Sequence, residues 1–212
     1  FENENEGIII EDDVYPSESF FIFAELMLGR YRNDKSVFHV GGANFQDGIK
    51  RGDGSYYFSN LSHVWGWATW KDRWEKYISP EKKDASEFKT IIAKKVPIKG
   101  FAEYYSKKMS EISAGRIDTW DYPWSYTIWA NGGKCIIPNY NLCINLGFGE
   151  ESLHTKDSDN KFANAKLEEI KEIIEPSSED INLEADKYTY KNYIRGKFSY
   201  RLKLKLKSFL KF

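Results

Sequence analysis

The chain has 212 residues, enough for one domain or for one large domain with a tail. Hydrophobic residues make up 41% and charged residues 30%, while aromatics reach 17%, which excludes disorder over most of the length because disordered chains are aromatic-poor. No apolar run approaches the roughly 20 residues that span a bilayer, so neither a transmembrane helix nor a signal peptide is expected.

The net charge of −1 hides an asymmetry. Lys187 to Phe212 holds seven Lys, two Arg and no acid, a charge of +9, which leaves about −10 on the other 186 residues. The acidic body weighs against nucleic acid as a partner. The basic tail calls for an anionic partner, most simply a membrane surface. Two cysteines, Cys135 and Cys143, make no disulfide framework and lack zinc-knuckle spacing. They read as reduced thiols of a cytoplasmic protein. The chain opens on Phe1 and enters directly into Glu2, Glu4 and Glu6, so it reads as a processed or cut piece.

Ile8 to Ile10 form a continuous apolar run, the pattern of a strand buried on both faces in a parallel sheet. Pro16 to Ser19 offer a turn and helix caps, and Phe20, Phe23, Ala24 and Met27 give helical spacing through Arg30. A strand is expected at Val37–Val40, ending in Gly41-Gly42, and a short aromatic one at Tyr56–Phe58 within an otherwise looping stretch 43–62. Trp70 and Trp74, four apart, are expected on one helix face. Helices are expected over 86–93, 100–112 and 118–130, a strand at Cys135–Pro138, and an amphipathic helix at Phe162–Ile174. Pro176 to Glu184 reads as a polar linker. The alternation of strands and helices says α/β.

Three consecutive acids, Glu11-Asp12-Asp13, follow the first strand. A strand's C-terminal end points into the crevice where open α/β sheets bind ligands. Like charges there repel, and a hard divalent cation such as Mg²⁺ or Mn²⁺ would relieve them. The alternative is a solvated turn in which Asp12 or Asp13 caps the next helix.

Ile8-Ile9-Ile10-Glu11-Asp12-Asp13, then Pro16 and Phe20-Phe21, resembles the metal-binding segment of GT-A glycosyltransferases, above all bacterial nucleotide-diphospho-sugar transferases. It is also similar to the inverting N-acetylglucosaminyltransferases. Three further blocks are similar to segments of the bacterial group in the same order: His63–Trp70 with Trp74, Asp118–Trp124, and Pro138–Gly149 running on to His154-Thr155. The resemblance covers about residues 7–156 and begins at the triplet's own strand, without the preceding half that binds the nucleotide base. It implies a partial Rossmann-like GT-A fold over 1–175, a linker at 176–186 and a basic amphipathic tail at 187–212. It implies transfer of a hexosyl or N-acetylhexosaminyl group from a nucleotide-sugar donor to a glycan or lipid-linked acceptor. It also implies that Asp13 binds Mn²⁺ or Mg²⁺, with Glu11 and Asp12 on the donor.

An inverting transfer needs a base for the acceptor hydroxyl. Resemblance to the Trp-Asp segment of the inverting enzymes implies Asp121 as the first choice and Asp118 as the second; three apart, they would share a helix face, and beside tryptophans a desolvated aspartate gains basicity. For both, support of the helix N-terminus is the structural alternative. The resemblance to metal-dependent GT-A enzymes also implies His154 as a late metal or phosphate ligand alongside Asp13; the alternative is a loop histidine without a role. His39 reads as a strand residue and His63 as support behind a site. Gly41, Gly42 and Asn44 suggest close approach to the donor sugar. Gly66 between Trp65 and Trp67 suggests an aromatic wall for a sugar ring, whereas Trp70 and Trp74 read as core. In the tail, Phe198, Leu202, Leu206 and Leu210 recur every four residues beside Lys203, Lys207 and Lys211, suited to the inner face of a membrane. An edge strand and a disordered tail are the alternatives there. The rival functional reading is a non-catalytic glycan-binding module or a truncated transferase remnant.

Overall fold

The computed structural model describes residues 1–81, 85–148 and 165–195. Among the described residues, seven strands run β1 Glu6–Ile9, β2 Val14–Pro16, β3 Val37–Gly41, β4 Tyr56–Ser59, β5 Trp67–Trp70, β6 Lys134–Pro138 and β7 Cys143–Asn145. The α-helices among them are α1 Glu18–Tyr31, α2 Lys71–Trp74, α3 Ala85–Lys95, α4 Phe101–Ser113, α5 Asp121–Ala130 and α6 Leu183–Thr189. A π-helical turn, Tyr190–Ile194, continues α6.

The main sheet has the order β1-β5-β3-β6-β4, and β2 pairs with β7 in a second ribbon. Among the described strand pairs of this sheet, β3–β6 is parallel, and β1–β5, β3–β5 and β4–β6 are antiparallel. The class is mixed α/β. The strand at Ile8 differs from expectation. It is an edge strand, half-buried, and its partner β5 runs antiparallel. Its two faces are both packed, Ile8 on the α1 side and Ile9 on the α5 side, but an edge position leaves them half-buried.

Period-two alternation builds the layers. Val40, Tyr56, Phe58, Ala68, Trp70 and Ile136 face α1, where Phe20, Phe23, Ala24 and Met27 meet them. Phe38, Tyr57, Trp67, Cys135 and Ile137 face the other way, onto Trp124 and Ile128 of α5. Both faces are covered, which is why the central strands are buried and their polar members, His39 and Thr69, are hydrogen-bonded. A register shift between Val37 and His39 puts an extra residue into β3. A bulge of this kind lets neighbouring side chains reach the same partner. Phe38 and His39 both contact Trp124 in this way. A third cluster joins α3, α4 and α5 through Phe88, Ile92, Phe101, Met109, Tyr126 and Trp129.

Trp70 and Trp74 do not share a helix face. Trp70 ends β5 on the α1 side and bonds Leu28 O at 3.1 Å, whereas Trp74 ends α2 and packs on Trp67 and Trp124. Arg73 between them is buried and donates to the carbonyls of Tyr31, Arg32, Asp34 and Val37. It thereby satisfies the end of α1, a favourable place for a cation.

The helix expected at Phe162–Ile174 is not formed over residues 165–174, which are irregular; 162–164 lie outside the described residues. Its apolar periodicity is real, since Ile170 and Ile173 pack on the core. Its backbone bonds go elsewhere: Glu168 N to Asn141 O, Ile170 N to Ser19 Oγ, and Ile174 O from Ser55 N. Once those groups are satisfied by distant partners, an intrahelical ladder has nothing to offer them.

Residues 176–186 cross the open side of β4. Ile181 bridges Phe58, and Asn182 N donates to Phe58 O at 2.8 Å. Asn182 then caps α6 by accepting from Ala185 N at 3.0 Å. The 186/187 boundary falls inside this helix. The basic stripe from Phe198 onward lies outside the described residues. Among the described residues, no helix is long and apolar enough to cross a membrane.

Candidate active site

The acidic triplet is a turn. Val14 N bonds Glu11 O at 3.1 Å, so the chain reverses at once from β1 into β2. Asp12 is exposed, and Glu11 and Asp13 are half-buried. Neither Asp12 nor Asp13 caps α1, whose N-cap residue is Ser17. Pairing of β2 with β7 brings Asn145 to Gly147 beside the turn: Leu146 N donates to Asp13 O at 2.7 Å. A side chain at Gly147 would begin 2.8 Å from Asp13 Oδ2, so only glycine leaves that carboxylate its place.

Asp121 opens α5 and is half-buried, with Thr119 Oγ1 donating to its carboxylate. Asp118 is not on the helix. It lies in the preceding loop, three residues before the first helical turn, and is exposed. The two aspartates therefore do not share a helix face, and Trp120 occupies the N-cap position.

The turn after β1 and the start of α5 meet. Burial raises the Glu11 carboxyl above the usual range, the charges of Asp13, Asp121 and Asp12 add to this, and a hydrogen bond from Trp120 works against it. Residues more than a hundred positions apart thus share one electrostatic environment. Trp120 is also stacked on Trp67 at 5.3 Å, which anchors it to the sheet.

Asp121 also lines a cavity of about 160 Å³ with Phe45, His63, Tyr104, Tyr122 and Tyr193. The Tyr104 and Tyr122 hydroxyls lie 3.4 Å apart, and Ser62 and Ser125, also on its wall, are bonded at 2.7 Å. The cavity is aromatic with a few hydroxyls and one carboxylate, the composition of a site for a small polar ligand. Phe45, Tyr104 and Tyr193 carried no sequence signal of their own in a chain this rich in aromatics. Trp120 and Tyr122 did, as part of the Asp118–Trp124 block.

The other expected residues fall as follows. Gly41 and Gly42 are buried, and close approach there is to protein. A side chain on Gly42 would begin 2.5 Å from Cys143 Sγ and 2.7 Å from Phe20. Gly66 has φ +62° and faces the same sulfur, with its carbonyl accepting from Gly42 N at 2.7 Å. Asn44 is committed to the loop: its backbone N donates to Asn141 Oδ1, its Nδ2 to Pro138 O, and its Oδ1 accepts from Gln46 N. Trp67 is only 2% exposed, within the cluster of Trp74, Trp120 and Trp124. Trp65 is half-buried and meets Phe45 edge-on at 5.2 Å. His39 is a strand residue, as its position implies. His154 lies outside the described residues.

Among the described residues, no group of three or more His, Cys, Asp or Glu is placed to hold a metal ion. Mg²⁺ and Mn²⁺ commonly use one or two carboxylates and complete their shell with water and substrate phosphates. Asp13, on a tight turn beside Glu11, fits that smaller donor set. Compared with known proteins, the chain matches no protein-family model and no curated protein sequence.

Proposed function

We propose that the chain is the catalytic, acceptor-side portion of a metal-dependent GT-A-type glycosyltransferase that inverts the transferred sugar. The observation that carries this reading is the convergence of the Glu11–Asp13 turn on Asp121, which itself lines an aromatic cavity.

In this reading an acceptor sugar enters the cavity with one hydroxyl toward Asp121. The Asp121 carboxylate takes the proton as that oxygen attacks the anomeric carbon of the donor. A new C–O bond forms, the bond from that carbon to the donor phosphate breaks, and a nucleoside diphosphate leaves. Asp13 would hold Mn²⁺ or Mg²⁺, which when bound neutralises charge on the departing diphosphate. Trp120, fixed between Trp67 and Glu11, holds the turn against the start of α5 and so sets the distance between the two halves of the site.

The test is calorimetric titration with a panel of nucleotide sugars, first with Mn²⁺ and then with EDTA. One donor should bind only with metal, and Asp13→Ala should abolish that binding. Absence of donor binding with metal would overturn the proposal and leave a truncated transferase remnant or a glycan-binding module.

A further inference from the structure

Helix α6 and the π-helical turn that continues it have two unlike faces. Ala185, Asp186, Thr189 and Tyr190 are buried, whereas Lys187, Lys191 and Arg195, spaced every four residues, are exposed. On the inner side Thr189, Tyr193 and Ile194 line the cavity that Asp121 also lines. One element thus walls the cavity with one face and presents a row of cations with the other.

Like charges four apart on a helix repel. Lys187 is relieved by Glu184 at 2.7 Å, but among the described residues no carboxylate pairs with Lys191 or Arg195. The other acids beside this element are occupied. Asp186 points inward and accepts from Ser59 and Asn60, Asp47 accepts from the hydroxyls of Tyr188 and Tyr193, and Glu103 pairs with Lys89 at 3.2 Å. Arg51 adds a cation on the flank, 5.3 Å over the Tyr188 ring. In the sequence the row is followed by Lys197, Arg201, Lys203, Lys205, Lys207 and Lys211 without an acid. Exposed cations clustered on one helix face are the pattern that recognises anionic lipid headgroups. A narrow row on an otherwise acidic chain suits a flat surface, which touches that face alone.

We infer that the outer face of α6 and its π-helical turn, through Lys187, Lys191 and Arg195, docks on an anionic lipid membrane. Because the same element walls the cavity, docking holds the cavity within about one helix diameter, roughly 10–12 Å, of the headgroups. The docking surface is argued from charge and burial and does not rest on the transferase reading.

The experiment mixes the whole chain with vesicles of phosphatidylcholine alone, or of equal parts phosphatidylcholine and phosphatidylglycerol, and reads binding by cosedimentation. Binding should need phosphatidylglycerol and be lost at high salt. Lys191→Gln combined with Arg195→Gln should weaken it about 25-fold, roughly fivefold for each cation, with the melting temperature unchanged. The charge-matched control, Lys166→Gln with Lys171→Gln, should leave it within about twofold. In the wild type, amide hydrogen exchange over residues 187–195 should slow on the phosphatidylglycerol vesicles, a reading that does not depend on any variant. Equal binding to phosphatidylcholine alone, unchanged binding of the double variant, or slowed exchange confined to residues beyond 195 would overturn the inference. Tighter binding to a single-stranded RNA oligonucleotide than to the anionic vesicles would overturn it too. Vesicle binding without any metal-dependent donor binding would keep it and overturn the transferase reading; donor binding without vesicle binding would do the reverse.

Discussion

The indole N–H of Trp124 donates to Nδ1 of His39 at 3.2 Å, which fixes the histidine as the tautomer protonated on Nε2. That Nε2 lies 3.1 Å from the carbonyl of His63, whose own ring bonds Ala43. Two neutral imidazoles therefore tie β3 to the loop that carries one wall of the cavity. Burial pushes their pKa values down to about 3 for His39 and about 4 for His63. Unfolding in acid lets both take up protons. Their contribution is present above about pH 6.5 and is lost as pH falls toward those values, on the order of 3 kcal/mol each at the acid end. Urea unfolding from pH 7 to pH 4 should show this fall, and His39→Gln should make the curve shallower.

Asp186 of α6 works in the opposite direction. Its buried carboxylate accepts from Ser59 Oγ at 2.6 Å and from Asn60 N and Nδ2 at 3.2 and 3.0 Å. Burial nevertheless dominates those bonds and raises its pKa to about 6. The folded state holds that proton more tightly than the unfolded one does. Stability from this group is present below about pH 4 and is lost as pH rises through about 6, amounting to about 3 kcal/mol. The stability of the wild type relative to Asp186→Asn should decline across that window and be flat above it.

Gly42 and Gly66 flank the sulfur of Cys143. Gly42→Ala places its new carbon 2.5 Å from that sulfur and 2.7 Å from Phe20, at the foot of α1. Overpacking of this kind costs about 1–3 kcal/mol. Thermal melting should show Gly42→Ala destabilised and partly rescued by Cys143→Ala. Gly29, with open space around it, should tolerate alanine with no loss.

The two aspartates near α5 should separate cleanly in kinetics. Asp121→Asn should lower kcat roughly 10²–10⁴-fold, the usual weight of a general base, with donor affinity unchanged. Asp118→Asn should leave kcat within about twofold, because Asp118 is exposed and off the helix. Equal losses in both would remove Asp121 from its role.

Helices α1, α3 and α4 and strands β3, β4 and β6 were legible in the sequence. Their buried residues follow the apolar pattern of the element, and the breaker Gly132, with φ +69°, marks the end of α5 in the same way. The stretch 165–174 has the same helical period yet is irregular, because its amides and carbonyls bond Asn141, Ser19 and Ser55 from elsewhere in the chain. Periodicity records which side chains are buried; it does not record where backbone partners lie. Trp70 and Trp74 show the same limit, since four-residue spacing holds only if both lie on one helix, and a strand ends between them.

Local composition by itself determined an aromatic-rich α/β chain with an acid turn at the end of its first strand. The chemistry of Glu11, Asp13 and Asp121 as carboxylates was equally plain. Tertiary structure alone decided that the turn meets the start of α5, that Asp118 stands apart, and that Trp67 is core. It alone left His63 Nε2 facing no partner among the described residues. The reason is physical. Side-chain type and spacing act within a few residues, whereas burial, charge coupling and hydrogen-bond satisfaction depend on neighbours brought together from distant parts of the chain.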